Sequence, residues 1–131
     1  ARLINVSARM YAAAGEGMAG FVIAGNVPKT VLIRAVGPTL SVFGVTGVLV
    51  DPAIAVFSGN TQVASNDNWG TGTSTAAQIS GAAAQVGAFA LVAGSRDAAL
   101  LATLQPGTYT VYVSGVGNTA GVALLEIYDT Q

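Results

Sequence analysis

Short runs of β-branched and aromatic residues, separated by clusters of turn-forming residues, recur along the whole chain. Runs of this kind are typical of strands, and the Gly, Pro, Asn and Asp between them are typical of turns. We predict about eight strands, at residues 3–11, 21–24, 30–36, 53–58, 61–65, 98–104, 108–116 and 122–128. The pattern predicts an all-β fold, a jelly-roll-like antiparallel β-sandwich formed as one domain by residues 1–131.

Two local signals in the middle of the chain refine this pattern. Gly59 and Asn60 predict a tight hairpin between neighbouring strands, because both residues tolerate a positive φ. Residues 73–86 are rich in Ala and Gln, which favours a short helix with Thr73 or Ser74 as its N-cap, although Gly81 lowers the helical preference.

The last two predicted strands differ in the polarity of their faces. In residues 108–116 apolar side chains alternate with polar ones, which predicts one buried face and one polar face. Residues 122–128 are apolar on both faces, with Glu126 as the exception. A strand of the second kind is central in its sheet or is covered by another element.

The chain carries few charged residues for a domain of its size. Only 8% of its residues are charged, against about 25% in an average soluble domain, while 52% are hydrophobic. Two long uncharged stretches, residues 68–95 and 98–125, contain turn signals, so we predict no membrane span. The five basic residues are scattered and the net charge is -1, which argues against nucleic acid as a partner. A surface with so few charged residues predicts contacts with other protein surfaces.

An ordered series of motifs runs through most of the chain. It comprises KTVLIRAVGPTL at 29–40, FGV at 43–45, DP at 51–52, SNDNW at 65–69 and LQPGTYTV at 104–111. The series resembles a β-sandwich domain that is widespread in secreted and surface proteins of environmental bacteria, and its closing portion also resembles bacterial pre-peptidase C-terminal domains. The resemblance implies an extracellular, non-catalytic module and assigns no function to individual residues. A first residue other than Met fits a mature secreted protein and equally a trimmed fragment.

The first predicted strand, which we take as an exchangeable N-terminal strand over residues 1–11, can connect copies of the chain. The residues proposed for this assembly strand are Leu3, Ile4, Val6, Ala8 and Met10. Residues 12–17 are mostly small and can act as its tether. A strand added to the edge of a neighbouring subunit supplies backbone hydrogen bonds, and head-to-tail repetition builds an open filament. The alternative is an ordinary first strand within its own sandwich.

One polar cluster is a candidate site for calcium or sugar, and it comprises Asn66, Asp67, Asn68 and Trp69. Alternating oxygen donors can ligate calcium, and Asp51, Asp97 and Asp129 can join them if the fold brings them near. The alternative is a turn in which the Asn and Asp side chains bond their own backbone. Trp69 can serve as a sugar-stacking platform, or it can be a half-buried core or interface residue.

The sequence contains no constellation typical of catalysis. His and Cys are absent, and the six carboxylates have no spacing that singles out a pair for glycoside hydrolysis. We therefore predict that the chain is not an enzyme and needs no cofactor, with calcium as the one alternative. The neighbours Arg96 and Asp97 predict a local surface ion pair or a turn.

These observations favour a secreted structural subunit that polymerises with copies of itself into an extracellular filament or sheath, through strand addition and apolar contacts. The other hypothesis is a monomeric extracellular module, cut from a larger secreted protein, that binds carbohydrate or calcium, with polysaccharide as its partner.

Overall fold

The computed structural model describes residues 6–13 and 17–130 of the chain. Within these residues there are eight strands and one α-helix, and all the predicted strands are present in the predicted order. The strands are β1 (Val6–Ala12), β2 (Gly17–Ile23), β3 (Lys29–Val36), β4 (Pro52–Ser58), β5 (Thr61–Asn66), β6 (Ala98–Leu104), β7 (Gly107–Gly115) and β8 (Gly121–Asp129), and the helix is α1 (Ala76–Val86). Two short 3-10 turns, Pro38–Phe43 and Val116–Asn118, were not predicted.

The strands form two antiparallel sheets in jelly-roll order, which confirms the predicted sandwich. The first sheet has the order β1-β8-β3-β6, and the second has the order β2-β7-β4-β5. The first strand pairs with the eighth, the second with the seventh, the third with the sixth and the fourth with the fifth. A long antiparallel ribbon wrapped into two layers gives this arrangement. As a result, β1 cannot pair in its own sandwich until the end of the chain has been made.

The ribbon turns back on itself between β4 and β5. Ser58 pairs with Thr61, so the hairpin turn consists of Gly59 and Asn60, as predicted. Gly59 has a φ of +60°, which other residues rarely adopt. The pairing of β4 with β5 shifts its register between Val56 and Phe57 of β4.

Alternate residues of the strands fill the space between the sheets. In β7, Tyr109, Val111 and Val113 are buried, while Tyr112 on the opposite face is 40% exposed. The predicted split of this strand into a buried face and a polar face is therefore confirmed. The other members of this core include Val31, Ile33 and Ala35 of β3, Ile54 and Val56 of β4, Leu100 and Leu104 of β6, and Leu125 and Ile127 of β8.

A second apolar layer lies on the outer face of the first sheet. Helix α1 packs on β3 and β6, and its Ile79 joins Leu32, Ala99 and Trp69 in this second core. Tyr128 of β8 packs against the same cluster. The strand predicted to be central or covered is both, because β8 lies between β1 and β3 and its outer face is partly covered. No helix within residues 6–13 and 17–130 is long and apolar enough to cross a membrane.

The helix begins slightly later than predicted. Thr75, rather than Thr73 or Ser74, is its N-cap, because the Thr75 hydroxyl accepts a hydrogen bond from the Gln78 backbone N–H. The Gln78 side chain in turn accepts from the Thr75 N–H, which completes a capping box. Gly81 is on an exposed position of the helix, where it displaces no packing.

Of the residues proposed for the assembly strand, Val6 is 40% exposed, and Ala8 and Met10 are partly buried. Met10 packs against the main core and Ala12 belongs to it. Leu3, Ile4 and residues 14–16 of the predicted tether lie outside the described residues.

Candidate functional site

Strand β1 is an edge strand of the first sheet. It pairs with β8 through seven opposed residues, from Val6 opposite Ile127 to Ala12 opposite Gly121. On its far side β8 pairs with β3, so β8 is central only as long as β1 is in place. Departure of β1 would turn β8 into an open edge with unpaired backbone N–H and C=O groups.

The side chains of β1 contribute little to the core for so well paired a strand. Ala12 is its one fully buried residue, and Met10 is partly buried. Val6 is 40% exposed and Tyr11 is 63% exposed. Because buried apolar area is the main stabilising contribution in a sandwich, β1 is held chiefly by backbone hydrogen bonds that any open β8 edge could equally provide.

The outer face of the second sheet is uncharged, and the one α-helix of the described residues packs on the first sheet instead. None of its four strands contains Asp, Glu, Lys or Arg. Met18 and Val22 are more than half exposed there, and the Phe57 and Tyr112 rings meet edge to face with their centroids 5.4 Å apart. Met18 lies opposite Tyr112 in the register of β2 and β7. We call Met18, Val22, Phe57 and Tyr112 the apolar face.

The polar cluster at residues 66–69 is mostly engaged in local bonds. The Asn66 side chain accepts from the Ala99 N–H and donates to the Asn68 carbonyl, and the Thr71 hydroxyl donates to the same carbonyl. Asn68 Oδ1 is buried and has no hydrogen-bond partner within the described residues. Nowhere in residues 6–13 and 17–130 do three or more His, Cys, Asp or Glu side chains group as a metal site would require.

Two carboxylates do meet beside this cluster. Partial burial raises the pKa of Asp67, and so do a hydrogen bond with Asp51 and the negative charge of Asp51, while Arg96 opposes the rise. Two carboxylates can bond each other only when one is protonated. Asp51 Oδ1 is buried and has no hydrogen-bond partner within the described residues. Of the three predicted companions of Asp67, Asp51 alone is brought to it.

Trp69 is buried, with 9% of its surface exposed. Its indole N–H donates to the Val92 carbonyl and to the Ser95 hydroxyl, both at 3.2 Å. The ring therefore belongs to the second core and does not present an open face to solvent.

The predicted surface ion pair of Arg96 with Asp97 is wrong. Arg96 is exposed and points towards Asp51, with 3.9 Å between Nη1 and Oδ2, whereas Asp97 is fully buried. Arg96 lies at a bend before β6, where its side chain points to solvent while that of Asp97 is directed into the loops beside the second core. Asp129, the remaining carboxylate considered above, forms an ion pair with Lys29 at 3.3 Å.

Asp97 organises the loops around the second core. Its Oδ1 accepts from the backbone N–H groups of Gly37 (2.8 Å) and Thr39 (3.2 Å). Its Oδ2 accepts from the hydroxyls of Thr39 and Ser95. A Cβ at Gly37 would lie 2.0 Å from the Leu49 carbonyl oxygen, so only glycine fits where this N–H reaches the carboxylate. Asp97 is therefore a buried structural carboxylate. Four hydrogen bonds occupy its two oxygens, which leaves no lone pair to bind a metal.

A buried ion pair beneath α1 was missed by the sequence reading. Arg34 of β3 and Glu126 of β8 are opposed in register, and Arg34 Nε donates to Glu126 Oε1 at 2.8 Å. Arg34 Nη1 donates to the Phe89 carbonyl at 2.6 Å, and the guanidinium lies 4.6 Å from the Phe89 ring centroid. The available signal was one charged residue in each of the predicted strands 30–36 and 122–128, because a lone buried charge requires a partner.

Tyr128 completes this group by donating its hydroxyl hydrogen to Glu126 Oε2 at 2.6 Å. Burial raises the pKa of Tyr128 to about 12, with further contributions from the hydrogen bond and the negative charge of Glu126, while Arg34 opposes them. The folded state therefore keeps a proton that the unfolded state loses near pH 10.

We predict that Tyr128→Phe is less stable than the wild type near pH 8 and that the difference shrinks as the pH rises from about 10 towards 12. In that range the wild type alone loses the stabilisation associated with the Tyr128 proton. Urea unfolding of both proteins at several pH values measures this difference in the free energy of unfolding. A gap that stayed constant up to about pH 11 would contradict the raised pKa.

No protein-family model matches the sequence, and no curated protein matches it. Among solved structures, the fold is similar to that of the pre-peptidase C-terminal domain of collagenase from Bacillus anthracis, with a TM-score of 0.54. The alignment covers 95% of this chain and 90% of that chain at 12% identity. This likeness confirms, at the level of the fold, the resemblance predicted from the C-terminal motifs.

Proposed function

We propose that this chain is a structural subunit of a secreted filament or sheath that assembles from copies of itself outside the cell. The observation that carries the proposal is β1, an edge strand with a full ladder of backbone pairs to β8 but with one fully buried side chain. Such a strand can leave its own sandwich and pair with β8 of the next subunit at little cost, because the same contacts are made again.

The jelly-roll order favours this exchange. β1 and β8 are the most distant pair in sequence, so a newly made β1 has no partner of its own until the chain is complete. Only residues 13–16 separate β1 from the following strand, and short hinges favour exchange between copies. When each subunit donates β1 and accepts another, the contact does not close and the assembly grows from both ends.

The apolar face supports the same proposal as a second contact. Met18, Val22, Phe57 and Tyr112 offer aromatic and aliphatic surface on strands that lack charged residues, which are the usual guards against association of sheets. An extracellular location belongs to this proposal and is supported by the motif resemblance to secreted and surface proteins.

Deletion of residues 1–11 should abolish assembly. The full chain should elute as large particles in size-exclusion chromatography and appear as regular filaments in negative stain, because β1 joins successive subunits. The deletion variant should give a less stable globular species, since β8 is left as an open edge. Regular filaments from the deletion variant, or a monodisperse monomer from the full chain at micromolar concentration, would contradict the proposal.

A monomeric binding module from a larger secreted protein is the second candidate. It is favoured by the fold similarity to a domain of a collagenase and by the Asp51–Asp67 pair, whose repulsion a bound calcium ion would relieve. Added calcium would then raise the melting temperature of the wild type and leave that of Asp67→Asn unchanged. Retention on a polysaccharide column would support a carbohydrate ligand.

A further inference from the structure

The connection between β1 and β2 lies at one end of the sandwich. β1 ends at Ala12, which is opposite Gly121, the first residue of β8. β2 begins at Gly17, which is opposite Val113, close to the end of β7. Both ends of the connection therefore flank residues 116–120, which join β7 to β8.

The length of this connection limits how far apart two subunits can lie once β1 has been exchanged. Five peptide bonds lead from Ala12 to Gly17, and they span at most about 18 Å when fully extended. Strand β7, with nine residues, is about 30 Å long. Because the connection is much shorter than the sandwich, the end at which β1 leaves one subunit must lie near the same end of the subunit that receives it.

Two of the loops at this end contain no charged residue. They are residues 44–50 and residues 116–120, and neither contains Asp, Glu, Lys or Arg. The first loop is held beside the start of β8, because the Val122 N–H donates to the Gly47 carbonyl at 2.8 Å. It therefore lies next to the second loop, which leads into the same strand. We call these two loops the tip.

The tip exposes apolar side chains. Val50 is 55% exposed and Val116 is 39% exposed. The Val116 N–H donates to the carbonyl of Asp51, the residue after Val50, at 2.9 Å, so the two valines are close to each other. Arg96, whose side chain is 70% exposed, lies 3.9 Å from the Asp51 carboxylate and adds a pair of opposite charges beside them. An apolar centre with a polar rim is typical of surfaces at which proteins meet.

We propose that the tips of neighbouring subunits pack against each other in the filament, so that each exchange of β1 is accompanied by an apolar contact between two tips. This contact rests on the proposed strand exchange and adds the surface that the joined subunits share. The partner of the tip is a second copy of the chain, because the connection holds the two tips about 18 Å apart or less. Neither tip loop carries a charge that would repel the other copy.

A single cysteine at the tip can test this contact in assembled filaments. Val50→Cys places one thiol on a chain that has no cysteine of its own. A flexible bismaleimide should then link subunits in pairs, which run as dimers on a denaturing gel. Val27→Cys is the matched control, because Val27 is 58% exposed but lies between β2 and β3, at the opposite end of the sandwich. It should remain a monomer on the gel.

A neutral polar substitution measures how much the contact contributes to assembly. Val50→Gln should raise the protein concentration needed for filaments about tenfold, because the contact then buries an amide in place of an apolar side chain. Val27→Gln makes the same change at the opposite end and should leave that concentration unchanged. Urea unfolding of both variants checks that the fold is retained.

The possible results distinguish the tip contact from the filament itself. Filaments in which Val50→Cys stays monomeric, in which Val27→Cys crosslinks equally well, or which Val50→Gln forms as readily as the wild type would overturn the tip contact and leave strand exchange standing. Closed dimers linked through Val50→Cys, without filaments, would support the tip contact and contradict the filament. A full chain that stays monomeric would contradict both.

Discussion

Filaments of a variant with one cysteine on β1 and one on β8 should oxidise into a ladder of covalently linked subunits. Tyr11→Cys with Val122→Cys is the suitable pair, since the two residues are opposed in the register and Tyr11 is exposed. Opposed Cα atoms in antiparallel strands are about 4.5–5.5 Å apart, which is within the range that a disulfide spans. The chain has no cysteine of its own, so every disulfide reports this pair.

The ladder follows from strand exchange because the partner of each β1 cysteine then belongs to the next subunit. Most of the protein should run as multimers on a denaturing gel without reductant and return to the monomer position with reductant. If β1 instead stays in its own sandwich, the same disulfide forms within one chain and the gel shows a monomer. The result therefore distinguishes the two interpretations of β1 directly.

A matched pair between β3 and β6 serves as the control. Thr30 and Thr103 are opposed in register and lie on neither β1 nor the apolar face, so Thr30→Cys with Thr103→Cys should form its disulfide within one chain even in filaments. Ladders from both pairs would indicate non-specific crosslinking. A monomer from the β1–β8 pair in well-formed filaments would exclude strand exchange and leave the apolar face as the connecting surface.

Strand positions could be predicted from the sequence because they depend on local alternation of apolar and polar residues. The run at 122–128 also indicated, correctly, a strand that is central or covered, since both its faces are apolar. The pairing of β1 with β8 could not be predicted, because it joins the two ends of the chain and leaves no local signal. The acceptor edge of the proposed filament became identifiable only from the topology.

The candidate site residues illustrate the same distinction. Arg34 and Glu126 are 92 residues apart in the sequence, and the residues around one do not indicate that the other is its partner. Arg96 and Asp97 are adjacent, yet Arg96 is exposed and directed towards Asp51 while Asp97 is fully buried, so adjacency was misleading. The low charge of the chain corresponds to two different surfaces in the structure. Part of the apolar strand surface lies under α1, beside the Arg34–Glu126 pair, and part remains open as the apolar face.

Loss of the Asp97 carboxylate should cause the largest fall in stability of any single substitution considered above. Asp97→Asn keeps the size of the side chain but replaces one acceptor oxygen with a donor, opposite the hydroxyls of Thr39 and Ser95. Those hydroxyls already accept from the Val92 N–H and from Trp69, respectively, so they have no simple way to reverse direction. We expect a loss of about 3 kcal/mol, typical of breaking a buried hydrogen-bonded charge.

Urea unfolding measures this loss as a lower midpoint with an unchanged slope. Asp67→Asn is the matched control, because it makes the same chemical change at an exposed carboxylate. Since the pKa of Asp67 is raised, its ionised form is disfavoured in the folded state, and its removal should leave stability unchanged or slightly higher at neutral pH. A loss within about 0.5 kcal/mol for Asp97→Asn would contradict the structural role assigned to it.

The same variant separates stability from assembly. Asp97 secures the loops around Trp69, and its side-chain bonds go to Gly37, Thr39 and Ser95, none of which lies on β1 or β8. Below its unfolding midpoint, Asp97→Asn should therefore still polymerise, while the emission of Trp69 shifts to longer wavelength as the loop loosens. Failure of the folded variant to form filaments would mean that the connecting contact includes these loops, so that strand exchange alone does not join the subunits.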